Sequence, residues 1–298
     1  MGLDDLIGIS AICGDEGTGK TTMALTFPKP LSHLDVDVGG YKRAAWRMDT
    51  ADITSHSFPK PLTDADIAKM KGITQSTVST RVAAIPKKVE GMKELWQNVI
   101  DQIVKDCVDA SIKSLVIDSA TMHYKLGCEA YLQELQEKQL IKHNKAAPNT
   151  PFDENDYREK LLPIEYGVVY DRLQRIYHTA RSYNKNLILV HYPTDEFGPM
   201  PDGKGGMADA RTGKIIMDGY KDTPKFMDLI VWLSIKSKMI PSDPSNPQSQ
   251  KVEQKSAVAK ITKCGLEGAG LAAVGLEIPA TYEGIINLRN LLAGAQNA

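Results

Sequence analysis

Gly14-Asp15-Glu16-Gly17-Thr18-Gly19-Lys20-Thr21 decides the fold, because it fits G-x-x-x-x-G-K-[ST], a loop built to cradle phosphate. Its setting fits as well. Ile7 to Cys13 (IGISAIC) is apolar and too short for three helical turns, so it reads as a buried strand. Thr22 to Phe27 continues as a helix that has to stop near Pro28 and Pro30. Glycines at 14, 17 and 19 let the backbone take positive φ and approach phosphate with no Cβ in the way. Successive N–H groups and the helix N-terminus add partial positive charge. The expected nucleotide cradle is Gly14, Asp15, Glu16, Gly17, Thr18, Gly19, Lys20, Thr21 and Thr22. Lys20 reaches for the β- and γ-phosphates, and the Thr21 hydroxyl for Mg2+.

A second strand is expected over Leu34 to Val38, with Asp35 and Asp37 on one face beside Gly39-Gly40; two carboxylates fit a buried core badly unless something binds them. Gly91 to Val108 has helical spacing. Ser114 to Asp118 (SLVID) follows as an apolar strand ending in a carboxylate, the place from which Asp118 would hold a water of the Mg2+ shell. Helices are expected at 121–138 and 161–183, around a polar surface loop at 143–156. Asn186 to His191 (NLILVH) is another buried strand, and 193–223, rich in Gly, Asp and Lys, reads as a mobile loop with room for a hairpin. Further strands are expected at 81–85, 226–234 and 258–262, a linker at 240–254 and a closing helix at 282–292. Alternating strands and helices predict an α/β fold: a doubly wound, mainly parallel sheet with an antiparallel C-terminal edge. One domain spans 1–298, with a helical insertion at 60–82 and loop insertions at 143–156 and 193–223.

Composition narrows the function. The 298 residues are 42% hydrophobic and 24% charged, which excludes wholesale disorder and fibrous architectures. Lys plus Arg is 36 and Asp plus Glu 37, a net charge of −1, so no global positive field draws the chain to nucleic acid or membrane. Cys13, Cys107, Cys128 and Cys264 form no C-x-x-C pair and read as reduced thiols. No apolar run nears the roughly 18 residues that cross a bilayer. Met1 to Leu6 lacks the basic start of an export signal, so a cytoplasmic protein with no membrane partner is expected.

GDEGTGKTT, LDVDVGG, SLVIDSAT and YGVVYDRLQRIYHTARSYNKNLILVHY, in that order, resemble the phage-encoded RecA-like ATPases of the single-strand annealing (Sak) type. The resemblance spans about residues 5 to 235. It implies a RecA-like core, ATP hydrolysis with Mg2+, single-stranded DNA binding, and homo-oligomeric rings or filaments. It also implies a single-strand DNA-binding protein as accessory partner and, for a phage-encoded chain, the host cytoplasm. It makes Lys20 and Thr21 the Walker A ligands and Asp118 the Walker B acid. Asp37 falls where relatives carry a catalytic Glu, one methylene shorter; its alternative is a strand-end cap. His191 falls at a polar sensor position, with a structural buried histidine as the alternative. Lys204, Arg211, Lys214 and Lys221 become phosphate contacts in a DNA loop where carboxylates outnumber them. Lys260 and Lys263 become cations offered to a neighbouring subunit, or else solvated lysines on an edge strand. Asp66 to Ser79 also resembles a helix-turn-helix, with a plain helical insertion as the alternative. A P-loop kinase for a small molecule and a nucleotide-gated assembly protein with little turnover stand beside the ATPase; a kinase would want an arginine-rich lid, and the 193–223 stretch holds only Arg211.

Overall fold

Side chains that alternate along the central strands supply two separate cores, one on each face of a sheet. In Ser114–Asp118, Leu115 and Ile117 point to one face and Val116 to the other. In Asn186–His191, Leu187 and Leu189 oppose Ile188 and Val190. This period of two, with both faces apolar, is what a sheet covered by helices on each side requires. Burying each such aliphatic side chain contributes roughly 1.5–3 kcal/mol.

The computed structural model describes residues 7–37, 39–62, 66, 67, 70, 87–201, 206–242, 245, 250–267 and 269–296. The first half comprises β1 (Ile9–Gly14), α1 (Lys20–Ala24), β2 (Leu31–Asp35), α2 (Gly40–Ala45), β3 (Ile53–Ser57), α3 (Met92–Val108), β4 (Ser114–Asp118) and α4 (Ala120–Ala146). The second half adds α5 (Tyr166–Ser182), β5 (Asn186–His191), β6 (Pro193–Pro201), β7 (Met207–Met217), α6 (Thr223–Phe226), β8 (Leu229–Pro241), β9 (Lys251–Cys264), β10 (Glu277–Pro279) and α7 (Tyr282–Gln296). An eight-stranded sheet runs β10-β9-β8-β1-β5-β4-β2-β3, parallel from β8 to β3 and antiparallel at β9 and β10. The α/β fold with its mainly parallel, doubly wound sheet and antiparallel C-terminal edge is thus the one the alternation predicts.

Helices α3, α4 and α5 cover one face, and α1 and α7 the other. Helix α3 docks closely on α4 because position 127 is glycine: a Cβ there would stand 3.0 Å from the Trp96 ring. The first amides of α3, which have no partner within the helix, donate to Gln133 Oε1 of α4, Met92 at 2.9 Å and Lys93 at 3.0 Å. Parallel register brings the ends of four strands to one edge, with Cys13 opposite His191, Asp118 opposite Val190 and Asp35 opposite Asp118. In open α/β sheets this carboxyl edge is where ligands sit.

Several boundaries differ from expectation. Strand β2 runs Leu31–Asp35, three residues early, so Asp37 lies beyond its end and shares no strand face with Asp35. Buried Ser32 and His33 break the apolar signal of this strand; Ser32 Oγ donates to Asp106 Oδ2 at 2.6 Å. Helix α1 ends at Ala24, and α4 runs on to Ala146, through the first four residues of the expected 143–156 loop. Within the expected 193–223 loop, Pro193–Pro201 and Met207–Met217 pair as an antiparallel ribbon, β6–β7, the hairpin for which the sequence left room, with a bulge between Asp195 and Phe197. The expected 240–254 linker is entered by strand at both ends, since β8 and β9 pair from Leu229 and Cys264 out to Pro241 and Lys251. Both ribbons are solvated on their two faces, which removes the alternation that would have marked them. The strand expected at 81–85 and nearly all of the helix-turn-helix-like segment lie outside the described residues. Among the described residues, no helix is long and apolar enough to cross a membrane.

Candidate nucleotide site

Two of the three loop glycines are demanded by backbone angle and one by space. Gly17 (φ +78°) and Gly19 (φ +91°) are left-handed, where side chains are strained. At Gly14 a Cβ would stand 2.7 Å from the Leu233 carbonyl oxygen and 2.9 Å from Thr18 Oγ1. Thr18 Oγ1 donates to the Asp15 carbonyl at 2.8 Å and braces the turn. The Lys20 ammonium is folded into this loop, donating to the carbonyls of Gly14 (2.8 Å) and Asp15 (2.9 Å). Burial pulls its pKa below the usual lysine range, opposed by the nearby carboxylates of Asp118, Asp15 and Glu16. Cys13, on the strand beneath, is pushed up to about 12 by burial and stays a thiol.

The metal end is assembled from two elements. Thr21 Oγ1 donates to Asp118 Oδ2 at 2.6 Å, and His33 Nε2 lies 3.4 Å from the same oxygen while its Nδ1 faces Ser55 Oγ at 3.1 Å. A carboxylate only accepts, so Nε2 is the donor in that contact. The chain passes close by at Gly40, where a Cβ would be 3.1 Å from Asp118 Oδ2 and 3.2 Å from Thr21 Oγ1. A hydroxyl and a carboxylate oxygen in contact are a hard-donor pair, which fits Mg2+ that takes its remaining ligands from phosphate and water. Among the described residues no group of three or more His, Cys, Asp or Glu forms a self-sufficient metal cage.

The two acidic residues after Leu34 serve different ends. Asp35 Oδ2 accepts from the Gly39 amide at 3.1 Å and pins the turn into α2. Asp37 faces the cavity, where Tyr192 Oη donates to its Oδ2 at 2.5 Å. Burial, and then the Asp37 carboxylate, raise the Tyr192 pKa, so that hydroxyl keeps its proton. The Tyr192 ring also covers the Lys20 ammonium, 4.7 Å from Nζ to the ring centroid.

These groups surround one cavity of about 860 Å3, bordered by Lys20, Thr21, Asp37, Asp118 and Tyr192. Its other wall comes from α2 and the residue pair after it: Lys42, Arg43, Trp46 and Arg47. Sequence reasoning missed these four, and the signal was the run KRAAWR, Lys42 to Arg47, one residue after the Gly39-Gly40 pair. The remaining expected residues lie elsewhere. His191 is fully buried and does not line the cavity; its Nδ1 donates to the Asp218 carbonyl at 3.0 Å, and burial lowers its pKa to about 4. Its neighbour Tyr192 takes the cavity position instead. Arg211 pairs with Asp195 at 3.3 Å on the β6–β7 ribbon, with Lys214 and Glu196 4.0 Å apart beside them. Lys221 is exposed, and Lys204 lies outside the described residues. Lys260 is exposed on β9 opposite Glu277, and Lys263 donates to the Pro224 carbonyl at 2.7 Å.

Residues 9–196, from β1 into β6, match the AAA domain family. No curated protein matches the chain. Among solved structures, the comparison with a KaiC-like protein from the hyperthermophilic archaeon Pyrococcus horikoshii OT3 covers 93% of this chain and 90% of that one, at 12% identity and a TM-score of 0.40.

Proposed function

Since the chain belongs to the AAA domain family, whose P-loop fold goes with nucleotide binding and hydrolysis, we propose that it is a Mg2+-dependent ATPase of the RecA-like, single-strand annealing type that couples nucleotide state to single-stranded DNA. One observation carries the ATPase proposal: Lys20 and Thr21, Asp37, and Asp118, from three separate places in the sequence, border a single cavity large enough for a nucleotide.

The residues divide the work. The loop amides between Gly14 and Thr22 grip the phosphates, and Lys20 exchanges its two carbonyl contacts for β- and γ-phosphate oxygens. Thr21 and Asp118 would hold Mg2+, their oxygens lying in contact at the end of the cavity. Mg2+, when bound, offsets charge on the β- and γ-phosphates as they separate. Asp37 orients a water and accepts its proton. The water oxygen bonds to the γ-phosphorus while the bond from phosphorus to the β–γ bridging oxygen breaks, releasing ADP and phosphate. For this Asp37 has to leave the Tyr192 hydroxyl.

Coupling to DNA is supported by connectivity. Tyr192 is followed at once by the β6–β7 ribbon with Arg211 and Lys214, so movement of its ring reaches that ribbon without an intervening hinge. Assembly of several copies into a ring or filament would let Lys260 approach a neighbour's site. The chain would then act as one domain in the cytoplasm, with a single-strand DNA-binding protein as accessory. The Tyr192–Asp37 contact also favours a second form of the proposal, a nucleotide-gated assembly protein with slow turnover. An ATPase assay with and without single-stranded DNA, with sizing of the complex, separates these. A rise in turnover on adding DNA supports the coupled ATPase, and binding and assembly with no turnover supports the gated form. Phosphate transferred to a small acceptor would replace both with a kinase.

A further inference from the structure

We infer that Arg43 is a catalytic residue acting within its own subunit, its guanidinium placed to stabilise charge on the γ-phosphate as it transfers; this rests on the ATPase proposal above. The inference starts from the electrostatics of the cavity. Three carboxylates, Glu16, Asp37 and Asp118, border it, and on the β1–α1 side only Lys20 opposes them. A nucleoside triphosphate carries several negative charges, and even with its metal it would enter a net repulsive site. The excess positive charge comes from Lys42, Arg43 and Arg47 at α2, and among the described residues no carboxylate is paired with any of the three.

Geometry singles out Arg43. The Gly39–Gly40 turn lets the chain pass close to the Thr21–Asp118 pair, where a Cβ on Gly40 would stand 3.1 Å from Asp118 Oδ2 and 3.2 Å from Thr21 Oγ1. One helical turn on, Arg43 folds back over this turn: its Nη1 stands 4.0 Å from where a Cβ on Gly39 would be. It therefore lies beside the segment that leads from Asp37 to the metal end. Arg47 stands a turn further away, with its guanidinium 6.0 Å over the Trp46 ring. Arg43 is exposed and so free to move onto a phosphate, and its planar fork suits two equatorial oxygens of the transferring group.

The test uses the full chain with Arg43→Ala, Arg43→Lys and Lys20→Ala, and reads binding of fluorescent Mg-ADP with and without fluoroaluminate, besides turnover. R43A should bind Mg-ADP within about threefold of wild type, lose the tightening that fluoroaluminate brings, and turn over about a hundredfold more slowly. R43K should recover part of the rate. Mixing R43A with K20A should restore nothing, because the arginine and the loop lysine have to share one chain. Full turnover by R43A, or activity regained on mixing, would overturn the assignment; regained activity would place the guanidinium in a neighbour's site. A wild-type chain that neither binds nor hydrolyses ATP would overturn the ATPase proposal itself, and this inference with it, whereas an active wild type with an unimpaired R43A removes the arginine alone.

Discussion

Thr21 Oγ1 and Asp118 Oδ2 meet at 2.6 Å, although 97 positions separate them in the chain. The hydroxyl comes from the first turn of α1 and the carboxylate from the last residue of β4. Because β1 and β4 both pair with β5 in parallel register, their C-terminal ends are fixed at the same height. The contact sets a hydroxyl and a carboxylate oxygen side by side, the donor pair to which the proposed function assigns Mg2+.

Thr21→Ala and Asp118→Asn should therefore separate metal from phosphate. Each is expected to weaken binding of Mg-ATP by about tenfold or more while leaving metal-free ATP nearly unaffected, the loss expected when a ligand or its positioning is removed. Titrations with and without EDTA check this. Equal losses in both conditions would mean the pair supports the loop and not the metal.

Asp37 is predicted to set the rate and not the affinity. Asp37→Asn keeps the size and the contact with Tyr192 but cannot take a proton, and kcat should fall at least a hundredfold with KM nearly constant. Asp37→Glu should stay active, since the longer side chain reaches the same water. Steady-state kinetics decide, and unchanged turnover in D37N removes Asp37 from the mechanism.

Trp46 is 79% exposed on the cavity wall. Nucleotide binding should cover it and change the tryptophan emission, and Trp46→Phe should abolish most of that change, because Trp96 is buried and Trp232 does not border the cavity. A full signal in W46F would put the nucleotide elsewhere.

Two buried histidines predict acid sensitivity. Burial lowers His191 to about 4 and His123 to about 3. Below the ordinary histidine pKa near 6.5 the unfolded chain binds these protons and the folded chain does not, so stability is complete above that pH and is lost as pH falls towards the folded values. Each histidine contributes a slope of about 1.4 kcal/mol per pH unit in that window. His123 stacks on Trp96 at 4.7 Å, and His123→Phe should keep the stack while flattening the dependence by one such slope between pH 6.5 and 4. Urea titrations across that range measure it; an unchanged slope would show that His123 is protonated in the folded chain.

What the sequence disclosed followed from local rules. The P-loop was legible because φ demands at Gly17 and Gly19 and the chemistry of Lys20 leave few alternatives. The strands carrying Asp118 and His191 were legible because they are buried on both faces. The α2 wall was not: a six-residue exposed helix shows no apolar period, and nothing in the run from Lys42 to Arg47 says which way it turns until the Asp35–Gly39 contact fixes it. The family resemblance points to His191, but register sends that imidazole into the core and leaves its neighbour Tyr192 facing the cavity. The ribbons beyond β5 and β8 were hidden because pairing between two solvated strands leaves no trace in hydrophobicity.

Calorimetric titration of a non-hydrolysable ATP analogue with Mg2+ into wild type and Lys20→Ala tests the central claim most directly. The account predicts one site per chain in the wild type and no measurable heat of binding in a K20A protein with an unchanged circular dichroism spectrum. Equal binding by both would contradict it, because the triphosphate would then be held somewhere other than the loop that Lys20 closes.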